Sequence, residues 1–226
     1  MRKLAVLAYL CATPLPWWLR RRVLQWGCGF SIHKTARLSR FSLVLPKRLE
    51  MGPHSRIGAF TVCKGAERLC LEEYGLIGAL NWITGFPLGT GSRHYAEDSE
   101  RKPQLIVSRH AAITSRHLID CTDEVTIGAF SIFAGFRSQI LTHSIDLKES
   151  RQRCQPVRIG HHCFVGTASV LLAGSALPDG SVLAAHSLLA DCCETPNTLY
   201  GGVPAKAIKP IESDAKFFNR TTGYVY

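Results

Sequence analysis

The chain contains nine cysteines yet no Cys-x-x-Cys pair. Without that spacing, zinc-ribbon and thioredoxin-motif readings fall away. The count is odd and the adjacent Cys192-Cys193 has poor geometry for a bridge, so the cysteines read as reduced, small apolar fillers in a reducing compartment. Long apolar runs are also missing. The best candidate, Leu4 to Ala12 behind Met1-Arg2-Lys3, falls far short of the roughly 18 residues a spanning helix needs. It has the charged and apolar parts of a signal peptide, but it runs into Thr13-Pro14-Leu15-Pro16-Trp17-Trp18 without a small-x-small cleavage site. Acidic residues are scarce at one end. Residues 1–50 hold ten Lys/Arg against Glu50 alone, so +9 of the net +10 is N-terminal and the remaining 176 residues are nearly neutral. A general nucleic-acid coat would be basic throughout, so no nucleic-acid partner is expected. With 46% hydrophobic and 19% charged residues over 226 positions, the chain can bury a real core and is not mainly disordered.

At the N-terminus, Pro16 is a good first helical residue, and the run to Trp26 places Leu15, Trp18, Leu19, Val23 and Trp26 at helical spacing. Arg20, Arg21 and Gln25 fall on another face. Two readings stand side by side: an amphipathic helix lying in a membrane interface, or a helix that caps the main domain with its tryptophans in the core.

Farther on, Ile159, Val165, Leu171, Leu177, Leu183 and Leu189 stand six apart without a break. Mostly small residues sit two positions earlier, at Val157, Cys163, Ser169, Ser175, Ser181 and Ser187. The spacing recurs upstream in Leu45-Met51-Ile57-Cys63-Leu69, Leu71-Ile77-Ile83, Val107-Ile113-Ile119 and Cys121-Ile127-Phe133. Glycine follows the aliphatic at Gly58, Gly78, Gly128, Gly160 and Gly166. Six matches neither the period of a helix nor that of a long strand. It predicts an all-β triangular solenoid in which the aliphatics fill the interior, the small residues leave room for them, and the glycines supply corner dihedrals; the spacing resembles the hexapeptide repeat, which implies a left-handed parallel β-helix. The β-helix is expected over 30–210, behind a basic helical lead-in at 1–29 and before a C-terminal tail at 211–226. The register breaks at 84–104 and 141–156, and such insertions become loops on the flank of a rigid scaffold, where binding chemistry usually sits.

The segment Ile140-Leu-Thr-His-Ser-Ile-Asp146, then Pro156-Val-Arg-Ile-Gly160, Phe164-Val-Gly166, the ladder and Gly202-Val-Pro-Ala-Lys206 resembles the hexapeptide acyltransferases of the galactoside, maltose and colanic-acid O-acetyltransferase kind. The likeness covers about residues 105–210, with 30–83 matching as repeats only. It implies homotrimers with active sites between solenoids, an acyl-CoA donor such as acetyl-CoA, no metal, and His143 as the catalytic base. It also places Phe164, Gly166, Ala185 and Lys206 along the coenzyme. Two departures touch the acceptor and coenzyme contacts: Ile113 stands where maltose-type relatives have Asn, and Ala190-Asp191 where they have Thr-Lys.

Acyl transfer from a thioester to a hydroxyl needs a base near the attacking oxygen and donors for the developing oxyanion. Histidine suits the first role because its pKa lies near neutrality. His143 is therefore expected to take the hydroxyl proton, with a backbone N–H, Ser138 or Thr142 serving the oxyanion. His117 and Asp120 are candidates for binding the acceptor or orienting His143, with a hydrogen-bonded corner histidine as the plain alternative for His117. Asp146 is a candidate for pairing with a loop arginine or orienting a histidine. A gamma-class carbonic-anhydrase-like metal enzyme would need two histidines five apart, whereas His110 and His117 are seven apart. A non-catalytic solenoid would show regular outward Thr or Asn rows, and these are irregular. The expectation is thus an O-acetyltransferase acting on a carbohydrate hydroxyl in the cytoplasm, with the lead-in free to touch the inner face of the membrane.

Overall fold

In a computed structural model, the six-residue ladder closes into a left-handed parallel β-helix. The described residues are 2–95, 97–212 and 214–225; Met1 of the lead-in, Ala96 of the first insertion, and Ser213 and Tyr226 of the tail lie outside them. Each coil gives one short strand to each of three parallel sheets, and among the described residues the first and third sheets stack seven strands. Three interior rows result. Ile32, Met51, Leu71, Val107, Ile127, Ile159 and Leu177 line the first sheet; Leu38, Ile57, Ile77, Ile113, Phe133, Val165 and Leu183 the second; Val44, Cys63, Ile83, Ile119, Ile140, Leu171 and Leu189 the third. None is more than 3% exposed. Burying each large aliphatic stabilises by roughly 1.5–3 kcal/mol, so the rows hold the coils together.

The first coils correct the expected register. Val44, not Leu45, fills the interior slot, because the corner after it carries an extra residue and Met51 lies seven positions on. Leu69 belongs to a second inward row with Leu49, Leu105, Val125 and Val157, since the first-sheet strands are long enough to turn two side chains inward.

The glycines after the aliphatics also have a different reason. None of Gly58, Gly78, Gly128, Gly160 or Gly166 has a positive φ. Space decides instead: a Cβ on Gly128 would lie 2.3 Å from the Gly160 oxygen of the next coil. One column of left-handed corner residues is His54, Tyr74, His110, Phe130 and His162, whose rings stack coil upon coil with centroids 4.7–5.1 Å apart. Ring stacking offsets some of the cost of placing side-chain-bearing residues in that region.

The lead-in is two helices, α1 (Arg2–Ala12) and α2 (Trp17–Cys28), packed against each other over the first coil. Tyr9 is buried and its hydroxyl donates to the Ser42 carbonyl at 2.8 Å, which ties α1 to the solenoid. The lead-in caps the first coil and Trp17 packs against the core, but the other two tryptophans of α2 depart from the reading that buries them. Trp18 is 69% and Trp26 82% exposed, while Arg20 and Leu24 are the buried residues of α2. Arg20 turns inward because its guanidinium reaches the Leu38 carbonyl at 3.0 Å.

Past the last coil, Thr198–Gly202 and Ala205–Pro210 form an antiparallel hairpin on the second sheet, with Tyr200 buried at its base. The tail then doubles back. Phe217 meets Phe164 edge to face, Arg220 donates to the Phe130 carbonyl, and the Gly223 N–H donates to His110 Nδ1.

Candidate active site

Both insertions leave the solenoid at the corner between the third and first sheets. One follows the strand Trp82–Thr84, the other follows Gln139–Ile140, and the strand Leu118–Asp120 lies between them in the same sheet. The second insertion is a hairpin of strands His143–Asp146 and Arg151–Cys154. The two pack on each other. Arg153 Nη1 lies 3.5 Å from Asp98 Oδ1, the Cys154 N–H donates to Asp98 Oδ2 at 3.1 Å, Arg151 pairs with Glu97, and Tyr95 Oη meets Gln152 Oε1 at 3.4 Å. A cleft of about 390 Å³ opens between them, lined in part by Tyr95, Ile145 and Gln152.

Asp120 and His143 meet at the floor of this junction, with His143 Nδ1 2.8 Å from Asp120 Oδ2. Asp120 is 5% exposed and its carboxylate is saturated: Thr142 N–H and Oγ1–H reach Oδ2 at 2.9 and 2.6 Å, and Thr122 N–H and Oγ1–H reach Oδ1 at 3.2 and 2.7 Å. Burial pushes the carboxyl up, but the bonds from His143, Thr142 and Thr122 outweigh it and hold it below its ordinary value. An ionised carboxylate only accepts, so His143 Nδ1 carries the hydrogen and Nε2 keeps its lone pair. That bond raises the His143 pKa above the ordinary histidine value against a smaller effect of burial. Among the described hydrogen bonds none uses Nε2, and the side chain is 39% exposed. Such a residue can take a proton from an incoming group while Asp120 stabilises the imidazolium.

Other expected residues fall elsewhere. His117 is 2% exposed in the corner before Asp120, with Nε2 2.9 Å from Thr114 Oγ1 and Nδ1 accepting the Ser138 N–H at 3.2 Å. Both ring nitrogens are occupied, which matches a corner histidine rather than a group facing the cleft. Ser138 Oγ donates to the Gly166 carbonyl and accepts from the Ser169 N–H, and Thr142 Oγ1 is held by Asp120. Both residues are fully buried and both hydroxyls are already bonded within the fold. Asp146 Oδ1 accepts the N–H groups of Lys148 and Glu149 and its other oxygen lies 3.8 Å from Arg153, so it shapes the hairpin turn. Phe164 is half-buried under Phe217. Gly166 lies beneath Ala185, whose nitrogen would sit 2.5 Å from an added Cβ, and Lys206 pairs with Gly201 on the terminal hairpin.

Tyr95 and Arg101 of the first insertion stood out in no motif. Tyr95 presents its ring edge to His143 at 6.1 Å between centroids, and burial, helped by the Asp120 charge, pushes its hydroxyl up to about 12. Arg101 is 8% exposed, lies 5.0 Å from the Tyr95 ring centroid and donates to the Thr122 carbonyl at 3.1 Å, which fixes the loop over the Asp120 turn. The available signal was the length and position of the insertion itself. Among the described residues, no group of three or more His, Cys, Asp or Glu is placed to hold a metal ion.

No family model matches the chain, and no curated protein matches it in sequence. Solved structures do match. The polysialic acid O-acetyltransferase OatWY covers 80% of this chain over 84% of its own, with a TM-score of 0.53 and 17% identity. A variant of AntD, an N-acyltransferase from Bacillus cereus, in complex with dTDP-4-amino-4,6-dideoxyglucose and coenzyme A, covers 81% of this chain over 86% of its own, with a TM-score of 0.52 and 14% identity. At these identities the likeness is one of fold.

Proposed function

We propose that the chain is an acyl-CoA-dependent O-acyltransferase that moves an acetyl group from acetyl-CoA to a hydroxyl of a sugar or polysaccharide precursor. The observation that carries this reading is the Asp120–His143 pair, with Nε2 used by none of the described hydrogen bonds and the imidazole 6.1 Å from the ring of Tyr95, which lines the cleft between the insertions. In the reaction Nε2 takes the acceptor hydroxyl proton as the oxygen attacks the thioester carbonyl. The C–S bond then breaks and the coenzyme thiolate leaves, to be protonated by the imidazolium. A main-chain N–H serves the oxyanion, since the nearby hydroxyls are committed inside.

Contiguity supports the assignment of the coenzyme to Phe164, Gly166, Ala185 and Lys206. Gly166 stacks on Ala185, and the hairpin that carries Lys206 pairs with the strand bearing Val182 and Leu183. Self-association into a homotrimer is supported by the outward row of the third sheet, where Leu43, Val62, Trp82, Leu118, Val170 and Leu188 are interrupted only by Gln139. No helix among the described residues is long and apolar enough to cross a membrane. A peripheral contact at the inner face of the membrane is supported by Leu4, Leu7, Leu10, Trp18 and Trp26, all exposed on the lead-in helices.

The test is release of coenzyme A from acetyl-CoA in the presence of hydroxyl sugars, with amino sugars as a second arm, for wild type and His143→Ala. Sugar-dependent release that His143→Ala abolishes is the expected result. Full transfer by the variant refutes the base, and transfer to amines alone refutes the hydroxyl acceptor.

A further inference from the structure

A second cavity, of about 380 Å³, lies between the first turn of α2 and the second sheet of the first three coils, away from the Asp120–His143 pair. Leu15 and Trp17 form an apolar side, and four arginines, Arg20, Arg37, Arg40 and Arg56, enter the lining with no acid among the lining residues. Arg37 and Arg56 are cross-strand neighbours on the outward row of that sheet, where like charges repel. Among the described residues no carboxylate pairs with any of the four.

Arg20 is 2% exposed, and while Nη1 donates to the Leu38 carbonyl, its Nε–H has no partner. The Trp17 indole N–H is likewise buried and unpartnered. Burial, with Arg40 adding repulsion, holds the Arg20 guanidinium below its ordinary value. The bordering turn of α2 has no acid and no side-chain cap, so its positive end is uncompensated. A buried donor left unmade is costly, and a concentration of guanidinium forks without carboxylates fits the geometry of phosphate oxygens.

We propose that this cavity binds a phosphate or diphosphate group, on a ligand whose apolar part lies along Leu15 and Trp17. The size suits a small ligand, and the source is either a free phosphorylated compound or a lipid headgroup presented beside the exposed apolar residues of α1 and α2.

The test measures binding by the full chain of inorganic pyrophosphate and, separately, of phosphatidylcholine vesicles with and without phosphatidic acid. The proteins compared are wild type, the double variant Arg37→Gln/Arg56→Gln, and Arg22→Gln as a control on an exposed residue outside the cavity. Arg37 and Arg56 are both exposed, so circular dichroism of the double variant should stay native. Expected is saturable pyrophosphate binding that weakens at least tenfold in the double variant and stays within about twofold in Arg22→Gln. Anionic vesicle binding that is lost in the same pattern assigns the group to a lipid headgroup; vesicle binding that ignores the double variant assigns it to a free ligand. No pyrophosphate binding by wild type, equal binding by the double variant, or an equal loss in Arg22→Gln overturns the proposal. Because the readout is binding, its failure and the failure of the transferase reading are separate results.

Discussion

The stacked interior and the two insertions treat the same side chain in opposite ways. His117 belongs to the stack, where burial drives its pKa down to about 4 and keeps it neutral. Three residues later in the chain, Asp120 points into the junction of the insertions, where it raises the pKa of His143. The interior gains its stability from apolar rows that tolerate no charge, so a titratable group caught there stays neutral, as His117 does with both ring nitrogens bonded. The insertions bury less, but they meet through charge pairs and can leave one nitrogen of a histidine open. The scaffold fixes position, and the loops keep reactivity.

That contrast can be broken at several points. The largest effect is expected from His143→Ala, which should lower the acyl transfer rate by roughly 10²–10⁴, the usual contribution of a positioned base, with native circular dichroism. Ile119→Ala strikes the interior one residue from Asp120 and should cost about 2–5 kcal/mol, read from the urea midpoint at unchanged slope. In a window from about pH 6.5 down to 4 the unfolded chain protonates His117 and the folded chain does not, so wild-type stability should fall by about 3 kcal/mol, at 1.36 kcal/mol for each unit of pKa difference. A His117→Gln protein should lack that slope; if both proteins titrate alike, the buried neutral histidine is wrong. Asp120→Asn removes the charge that favours the imidazolium, so the acid limb of the rate profile should move to lower pH while the maximal rate drops. An unmoved limb would show that Asp120 does not set the pKa of His143. The smallest change is expected from Arg151→Ala, which breaks a solvent-exposed pair with Glu97 and should alter stability by no more than about 1 kcal/mol.

Where the chain repeats, its sequence reveals the fold. Most slots of the three interior rows can be read from the six-residue spacing once the coil is known to close, whereas Ile140, seven residues after Phe133, stands outside every run. Spacing points to Leu45 in place of Val44 because an added corner residue leaves no mark on hydrophobicity, and the glycines point to corner dihedrals because close approach between coils and a positive φ both favour glycine. Asp120 and His143 could each be named, but their contact spans a coil and a hairpin, which spacing along the chain cannot measure. Tyr95 and Arg101 lie in an insertion with no period at all, so only packing reveals their place. Arg20 is the clearest inversion: an arginine between tryptophans reads as solvent-facing, yet one carbonyl and one phenol turn it inward.

In a solenoid each turn ordinarily touches only the turns above and below, so its unravelling can proceed one repeat at a time from an open end. The tail changes that arithmetic. By touching Phe164, Phe130 and His110, it links the sixth, fifth and fourth coils directly, like a strap laid across three rungs. Asp120 belongs to the fourth coil and the His143 hairpin springs from between the fifth and sixth, so the coils that carry the pair are the coils the tail fastens to one another.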